Sequence, residues 1–556
     1  MNTQYGAWGI HQQLLKELKS YLNSQYFGRS PILRKAIDKA LDEEFVLYRL
    51  PYVESTPAYK QAEGIDRADI PEWLRHFFIE LADADLGVFS RPYTHQLKAL
   101  EAAVRGRDLL VATGTGSGKT ECFMWPMMAK LMTEARAHPE TWESRGVRTI
   151  IMYPLNALVS DQLSRLRRLL GDQNGMFEHI FRKYSSDGSR RPQFGMYTGR
   201  TPYPGKTSNK HQDKQLARTL SRFVPVDPDA GDEGEHQTEH FSERYIAELT
   251  KQGRTPAKKD LTRFIMLLED GRHCTDEGDA ELLTRFEMQR TPPDILITNY
   301  SMLEYMLMRP RETSIWDQTR EWLEINPDQK LLFIIDEAHM YRGSSGGEVA
   351  LLIRRLLSRL GIDRSRVQFV LTTASMPSDQ EAVETFANAL TGQKAQACSF
   401  DFFYGDRSVL PGTPAFHTPA EWLNTVDLCA FDVGDENRLR EINRLTSLVW
   451  NVTFDQYEAA RRWLGEHLPE IHEFRRLIEL CRGSALSLTE LAQELFPNLN
   501  REKGLHCVSA ILAGAPPPPP PSGGTLPPPQ PTTLLGPQGR YSWPHPQLPL
   551  PCASAR

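Results

Sequence analysis

A chain of 556 residues is too long for one ordinary hydrophobic core, and its length predicts two or three domains. Hydrophobic residues make up 40% of the chain and charged residues 24%, and no apolar run has the length of a bilayer span, so the composition excludes a membrane-spanning protein. A formal net charge of −6 excludes the basic footprint of a nucleic-acid coat protein, and any contact with nucleic acid must therefore be local.

The cysteines and the N-terminus indicate the compartment. Seven cysteines are spread along the chain without a C-x-x-C pair, which argues against a zinc site and against a disulfide framework. Residues 1–4 (MNTQ) lack the basic start and apolar core of a signal peptide. We expect free thiols in a reducing compartment and a cytoplasmic protein.

The hydrophobic pattern changes once along the first 395 residues. Residues 1–84 are predicted to form a helical N-terminal domain, because apolar residues recur there at helical spacing. From 85 to 395, short apolar runs alternate with amphipathic helices, which predicts an α/β domain around a buried parallel sheet. The predicted strands are 108–112 (DLLVA), 149–153 (TIIMY), 294–298 (DILIT), 331–335 (LLFII) and 367–372 (VQFVLT).

Three segments lie outside this alternation. Residues 201–290 are polar and include the acidic stretch 227–235 (DPDAGDEGE), so we expect an insertion that is partly helical and partly flexible. Residues 396–513 are again predicted to be helical. The tail, 514–556, is rich in proline, which lacks an amide donor and disfavours helix, so we expect a disordered segment. Its polyproline run is either an SH3-type ligand or a non-functional appendage.

The most informative stretch is 111–121, VATGTGSGKTE, which directly follows a predicted strand. Its glycines let backbone amides turn inward, and together with the positive end of the next helix these amides can hold a phosphate chain. The lysine would reach the β- and γ-phosphates, and the hydroxyl after it would ligate Mg²⁺. The loop has Thr113 where the usual pattern has its first glycine. The predicted ATP-binding residues are Thr115, Gly116, Ser117, Gly118, Lys119 and Thr120.

A second stretch, 331–339 (LLFIIDEAH), delivers two adjacent carboxylates at the end of an apolar strand. This arrangement suits metal-dependent hydrolysis of a nucleoside triphosphate, because ligands bind at the carboxyl ends of parallel strands. Asp336 would hold Mg²⁺, and Glu337 would position and deprotonate the attacking water. A surface Asp-Glu pair is the alternative.

The two stretches together resemble motifs I and II of superfamily 2 helicases of the DEAD/DEAH-box type, and further segments follow in that family's order. Residues 91–96 (RPYTHQ) resemble its adenine-recognising segment, which implies that Gln96 binds the base. Residues 371–375 (LTTAS) resemble motif III, which implies that Thr373 and Ser375 couple to His339, a member of the predicted catalytic set with Lys119, Asp336 and Glu337.

The segments 336–356 and 386–392 are more closely similar to helicases related to the mitomycin-repair helicase and to large helicases of phage-defence systems. This resemblance implies a RecA-like domain, ATP and Mg²⁺ as cofactors, and an ATP-dependent helicase or translocase that acts on nucleic acid, DNA in particular, in DNA repair or phage defence.

The same resemblance implies a track for a single strand that is bound largely by backbone amides and short hydroxyls. Asn156 stands where many relatives carry a basic residue. Near it, Arg165, Arg167 and Arg168 form a basic cluster that either steers a nucleic-acid backbone or is a solvated helix face. The implied nucleic-acid-binding residues are Pro154, Asn156, Gln162, Thr198, Gly199, Thr298 and Asn299.

The family's motor has two RecA-like domains, and the second one supplies an arginine finger. After residue 375 we find no pattern of a second parallel sheet and nothing like Q-x-x-G-R-x-G-R. We therefore expect that the second motor domain is missing, either because the product is truncated or frameshifted or because a second polypeptide supplies it. The alternative function is a nucleotide-dependent nucleic-acid-binding or scaffold subunit without efficient ATP turnover.

Overall fold

The computed structural model describes residues 6–26, 31–43, 46–55, 59–114, 116–171, 174–203, 210–224, 241–374, 380–392, 400–408, 417–418, 420–482 and 485–514. The strands in these ranges are β1 Tyr52–Val53, β2 Asp108–Ala112, β3 Thr149–Tyr153, β4 Phe194–Tyr197, β5 Glu281–Leu282, β6 Ile295–Asn299, β7 Leu331–Ile335, β8 Val367–Thr373, β9 Phe400–Tyr404 and β10 Leu486–Ser487. The predicted Pro-rich tail lies outside the described residues, apart from Gly514.

The first half of the described chain contains the helices α1 Gly6–Tyr26, α2 Pro31–Leu41, α3 Glu72–Asp83, α4 Thr94–Val104, α5 Glu121–Ala137, α6 Pro139–Glu143, α7 Asn156–Leu170, α8 Met176–Tyr184, α9 Lys210–Ser221, α10 Glu243–Lys251, α11 Leu261–Glu269 and α12 Arg285–Arg290. The second half contains α13 Tyr300–Met308, α14 Thr313–Ile325, α15 Ser344–Leu360, α16 Gln380–Thr391, α17 Ala420–Leu423, α18 Leu428–Val433, α19 Asp435–Val449, α20 Tyr457–His467, α21 His472–Leu480, α22 Leu488–Leu495 and α23 Arg501–Gly514. None of the helices in the described ranges combines the length and the apolar character that crossing a membrane demands.

Eight strands form one sheet in the order β5-β4-β6-β3-β7-β8-β2-β9, and every pairing in it is parallel. Five of these strands were predicted, and the α/β class with a parallel sheet is confirmed. Because every strand runs the same way, the carboxyl ends of all eight lie at one edge of the sheet.

The sheet is covered on both faces, which explains why its central strands are continuous apolar runs. Alternate residues of β7 enter opposite cores: Leu331, Phe333 and Ile335 pack on one face, and Leu332 and Ile334 pack on the other. Helices α3, α4, α5 and α7 cover the face of Leu332, while α13, α14, α15 and α16 cover the other. Along α15, apolar residues three or four apart are buried, as expected of an amphipathic helix.

A separate core joins the two ends of the described chain. Val53 of β1 pairs with Leu486 of β10, and Trp8 of α1 packs on the helices between α19 and α23. Helix α3 packs instead against the sheet domain, as does β9, which lies within the predicted helical range 396–513. The ranges 1–84, 85–395 and 396–513 remain predictions for the domains, but the packing divides the described residues differently.

The polar insertion contributes both helices and a strand. Helices α9 and α11 pack together around Phe264 and Leu268, and β5 extends the sheet beside β4. The acidic stretch 227–235 lies outside the described residues.

Candidate nucleotide and nucleic-acid site

The phosphate loop follows β2, the first strand inward from the edge strand β9. Gly116 and Gly118 adopt the left-handed conformation, with φ of 75° and 71°, which only glycine adopts without strain. Thr113 and Ser117 share a hydrogen bond of 2.6 Å between their hydroxyls, which links the start of the loop to its later part. Ser117 is fully buried, and Thr115 lies outside the described residues.

The loop rests on the start of α4. Gln96 is fully buried, and its Nε2 donates to the Gly118 carbonyl at 3.1 Å, while its Oε1 accepts from the Tyr93 amide at 2.8 Å. His95, which the sequence left without a role, places Nε2 2.8 Å from the Ser117 carbonyl. Burial lowers the pKa of His95, which favours the neutral ring. In this conformation the amide of Gln96 holds the loop, and base recognition by Gln96 stays a prediction.

The loop meets the DEAH sequence through one ion pair. Lys119 Nζ lies 3.1 Å from Glu337 Oε1, across 218 positions of sequence, and both side chains are largely buried. Glu337 has a φ of 51°, which is unusual for a residue with a side chain. This backbone conformation begins the 3₁₀ turn Ala338–Met340 and turns the carboxylate towards the loop after β2.

Asp336 directly follows β7 and is 8% exposed. Its Oδ1 accepts hydrogen bonds from the Thr372 hydroxyl of β8 and, at 2.9 Å, from the amide of Glu337. Burial raises the pKa of Asp336, an effect that the hydrogen bond from Thr372 partly offsets. A cation would favour the charged carboxylate.

The donors near the lysine fit Mg²⁺-ATP. Mg²⁺ prefers oxygen ligands, and the Thr120 hydroxyl and the second oxygen of Asp336 are of this kind. Glu337 Oε2 is a buried oxygen that accepts no hydrogen bond from the described residues, although His339 Nδ1 lies 3.3 Å from it, and it could accept one from a water molecule. These residues could hold the ion and the triphosphate together.

The third motif meets the second through His339. Its Nδ1 lies 3.0 Å from the Thr373 hydroxyl at the end of β8 and 3.3 Å from Glu337 Oε2. The structure thus brings together Thr373, His339 and Glu337, as the predicted coupling requires. Ser375 lies outside the described residues, and its coupling role stays a prediction.

The predicted nucleic-acid residues follow three neighbouring strands, β3, β6 and β4, so most of them share one stretch of the sheet edge. Gly199 is exposed there, Pro154 is half-buried, and Asn156 begins α7. The polar side chains hold the loops: the Thr298 hydroxyl donates to the Tyr197 carbonyl at 2.8 Å, and Asn299 Oδ1 caps α13. The Thr198 hydroxyl accepts from the amide of Arg200 at 3.2 Å, and Thr198 is almost fully buried.

Gln162 lies apart from this rim. It is buried, and its Nε2 is 3.4 Å from the Thr120 hydroxyl at the phosphate loop. Of the basic cluster on α7, Arg165 pairs with Glu121 at 3.1 Å and Arg167 with Glu281 at 2.6 Å. These two guanidiniums are directed into the protein, which neither reading of the cluster anticipated.

Sequence reasoning missed Glu121, His95 and Thr372, all of which contact site residues. Glu121 stands next to the phosphate loop in VATGTGSGKTE, but its partners lie 25 and 44 positions away. Thr372 adjoins the predicted Thr373, and strand alternation could have indicated that the two hydroxyls point to opposite faces. No local signal marks His95 or Glu121.

A parallel sheet with a phosphate loop after one strand and a DEAH sequence after another defines a RecA-like P-loop domain of the helicase type. Residues 93–195 and 257–383 match the family model described as DEAD/DEAH box helicase. The unmatched stretch between 195 and 257 falls largely within the predicted insertion.

The chain is 36% identical over 527 residues to the Druantia protein DruE of Escherichia coli (strain UMEA 4076-1); the match covers 91% of this chain and 28% of DruE. It is 30% identical over 100 residues to the uncharacterized ATP-dependent helicase YprA of Bacillus subtilis (strain 168), with 18% of this chain and 12% of YprA covered. A solved structure of the DUF1998 helicase MrfA bound to DNA and AMPPNP has a TM-score of 0.33 and 15% identity, and the match covers 79% of this chain and 47% of that chain. The matches therefore cover 28%, 12% and 47% of these relatives' own lengths, so the chain spans only part of each.

Proposed function

We propose that this chain is the first motor part of an ATP-dependent helicase or translocase that acts on DNA. The observation that carries the proposal is the contact between Lys119 and Glu337, which joins the phosphate loop and the DEAH sequence at one sheet edge. The match of residues 93–195 and 257–383 to the DEAD/DEAH box helicase family model supports it. The resemblance of residues 336–356 to repair and phage-defence helicases favours DNA over RNA.

Each residue of the site has a chemical task in this proposal. The amides of the phosphate loop bind the triphosphate, and Lys119 moves from Glu337 to the phosphates. Thr120 and Asp336 would hold Mg²⁺, which would compensate the negative charge that develops on the phosphates. Glu337 orients a water molecule through Oε2 and accepts its proton, and His339 links this carboxylate to Thr373.

The exposed rim at the ends of β3, β6 and β4 is the proposed track for the nucleic acid. Gly199 and Pro154 lie where backbone groups are accessible, and the amides of the first turn of α7 point out of its N-terminus. Such amides bind phosphate without a basic surface, which is consistent with the net charge of −6. The buried hydroxyls of Thr198 and Thr298 hold the shape of this rim.

A second RecA-like domain is a further part of the proposal, provided either in a longer form of the protein or by another polypeptide. Its arginine would stabilise charge on the γ-phosphate and raise turnover by ~10³ to 10⁵. Without it, the site binds ATP and turns it over slowly.

The second candidate function is nucleotide-dependent binding without efficient turnover. The described residues contain one parallel sheet with one phosphate loop, which favours this alternative for the chain by itself. The paired Asp336 and Glu337 favour an enzyme, since binding alone does not require a carboxylate that orients water.

ATP turnover with and without a single-stranded oligonucleotide separates the two functions. We expect slow turnover that single-stranded DNA stimulates more than RNA of the same sequence does. Glu337→Gln should abolish turnover and keep ATP binding, because it removes the proton acceptor and little volume. Glu324→Gln, in an exposed pair with Arg320, is the matched control. Turnover in Glu337→Gln equal to that of the wild type would contradict the enzymatic proposal, and wild-type ATP binding without any turnover would favour the binding function.

A further inference from the structure

Glu121 is a buried carboxylate to which the proposed chemistry assigns no task. It begins α5 directly after Thr120 and is 7% exposed. One oxygen lies 3.1 Å from Arg165 Nη1 on α7, and the other lies 3.5 Å from Gln96 Nε2 on α4. Glu121 thus stands between the loop-holding amide of Gln96 and the helix that leaves the nucleic-acid rim.

This position is costly for a carboxylate. About a tenth of the Glu121 side chain is exposed, so its charge is largely removed from water, and Arg165 is its ion-pair partner. An apolar side chain would fill the space without the desolvation penalty, because buried ion pairs often add little net stability. The carboxylate is therefore better explained by what it connects than by the stability that it adds.

A second contact joins α7 to the junction between the phosphate loop and α5. Gln162 Nε2 lies 3.4 Å from the Thr120 hydroxyl, one residue before Glu121. Gln162 and Arg165 are three residues apart on α7 and therefore share one face of that helix. Helix α7 thus touches two consecutive residues: Thr120, which ends the phosphate loop, and Glu121, which begins α5.

The other end of this connection is the nucleic-acid rim. Helix α7 begins at Asn156, two residues after Pro154 at the end of β3. A rotation or shift of α7 would displace both the rim and the contacts with the loop, because a helix moves as a rigid element. A metal bound to the Thr120 hydroxyl would therefore lie one contact away from Gln162 on α7.

We propose that Glu121 and Arg165 are positioning residues that couple nucleotide binding at the phosphate loop to nucleic-acid binding at the start of α7. The inference deepens the proposed function and rests on it. In the bound state, Arg165 holds α7 in the position that the occupied loop requires, and an oligonucleotide at the rim favours the same position. The two ligands then strengthen each other's binding by one and the same factor.

The test is the linkage between the two ligands in the full chain. The dissociation constant of a fluorescent ATP analogue with Mg²⁺ is measured with and without a saturating single-stranded DNA oligonucleotide, and that of the oligonucleotide with and without the analogue. We expect a coupling factor of about 5 or more in the wild type. In Glu121→Gln and in Arg165→Gln it should fall to about 1 to 2, while each ligand alone binds within about twofold of the wild type.

Control variants separate coupling from folding. If Glu121→Gln folds poorly, Arg165→Gln tests the same ion pair. Arg165 is one-third exposed, so its replacement should disturb the fold less than a change at the buried Glu121. Arg320→Gln removes an exposed ion pair on α14 and should keep the coupling factor of the wild type. The double variant should lose no more coupling than either single variant, because both act through one contact.

The outcomes distinguish this inference from the proposed function. A wild type that binds neither ligand would overturn the proposed function and this inference together. A wild type that binds both ligands, with a coupling factor that the two variants leave unchanged, would overturn the inference alone. Equal weakening of both ligands in Glu121→Gln, at constant coupling, would indicate a purely structural ion pair and would also overturn it.

Discussion

Single residues of the site carry energetic costs that the function explains. Asp336 is buried as a carboxylate at the end of β7, and its pKa is raised chiefly by burial. Glu337 has a positive φ and a buried oxygen without a hydrogen-bond partner among the described residues. Backbone strain and buried charge of this kind gather at functional sites.

Replacing Asp336 by asparagine should therefore stabilise the ligand-free protein at neutral pH. The variant keeps an oxygen for the hydrogen bonds from Thr372 and from the Glu337 amide, and it removes the buried charge. We expect the free energy of unfolding to rise by roughly 1 kcal/mol, which corresponds to a rise in Tm of about 2 °C in a domain of this size. Mg²⁺-dependent ATP binding should be lost.

The pH dependence of that difference follows from the raised pKa. The native state binds the Asp336 proton more tightly than the unfolded chain does, so wild-type stability falls as the pH rises from the ordinary aspartate value through the native pKa. The Tm advantage of Asp336→Asn should therefore be full at pH 7 and shrink towards pH 4. The exposed Asp328→Asn serves as the control, and an advantage that is equal at both pH values would contradict the argument.

At the scale of elements, the two ends of the sheet have different tasks. The carboxyl ends carry the site, while a buried ionic network joins the amino ends of β3, β6 and β4. Asp294 accepts from Arg148 at 3.0 Å and from Arg190 at 2.7 Å, and Arg148 is fully buried between Trp142 and Trp322. The members of this network are almost fully buried, and it links segments at the amino ends of these strands.

Removing one member of the network should be far more costly than removing a surface charge. Asp294→Asn removes the charge that pairs with Arg148 and Arg190 and leaves Glu134 as the counter-ion of Arg148. We expect a loss of about 3 kcal/mol at pH 7 by denaturant unfolding. Asp317→Asn, in an exposed pair with Arg359, should change stability by less than about 0.5 kcal/mol.

The sign of the pH dependence is the reverse of that for Asp336. Burial alone would raise the pKa of Asp294. The charges of Arg190 and Arg148, and the hydrogen bonds from Arg190, outweigh this effect and lower that pKa to about 2. The stabilisation is complete above the ordinary aspartate pKa and is lost as the pH falls through about 2. The difference between wild type and Asp294→Asn should therefore decrease below pH 4, and an increase there would contradict the assignment.

Local patterns predicted some elements fully and others not at all. Strands β2, β3 and β7 were predicted with their observed bounds, because each is a continuous apolar run buried on both faces. Strand β4 contains Gly195, β5 has two residues, and β9 carries a charged Asp401, so no run marks them. Similarly, contiguous motifs indicated Lys119 and Glu337, whereas the contacts of Glu121 depend on three helices that only the fold brings together.

At the scale of the whole molecule, the start of the described chain completes the core of its end. Trp8 packs on the C-terminal helices, with the Arg501 guanidinium 5.9 Å from its ring centroid, and β1 pairs with β10. The sheet domain is thus flanked by one helical unit built from both ends. Hydrophobic periodicity could predict the helices but not the packing of the first helix on the last ones. The pattern shows which face of a helix is buried, but it does not show which element covers that face.

Truncation of that tryptophan should loosen the helical unit and spare the sheet. Trp8→Ala removes part of a shared core, and we expect a local loss of about 2 kcal/mol. Hydrogen exchange should show lower protection in α23 and unchanged protection in β2 and β7. Leu14→Ala, an exposed position of the same helix α1, is the control, and equal loss of protection in the sheet would contradict the separation.

The most direct test of the central claim is equilibrium binding of a fluorescent ATP analogue in the presence and absence of Mg²⁺. The site predicts Mg²⁺-dependent binding that weakens about 10- to 100-fold in Lys119→Ala, because a charge-assisted contact with the phosphates is lost. Lys98→Ala, an exposed lysine of α4, should bind as the wild type does. Binding by the wild type that is no tighter than that of Lys119→Ala would contradict the account.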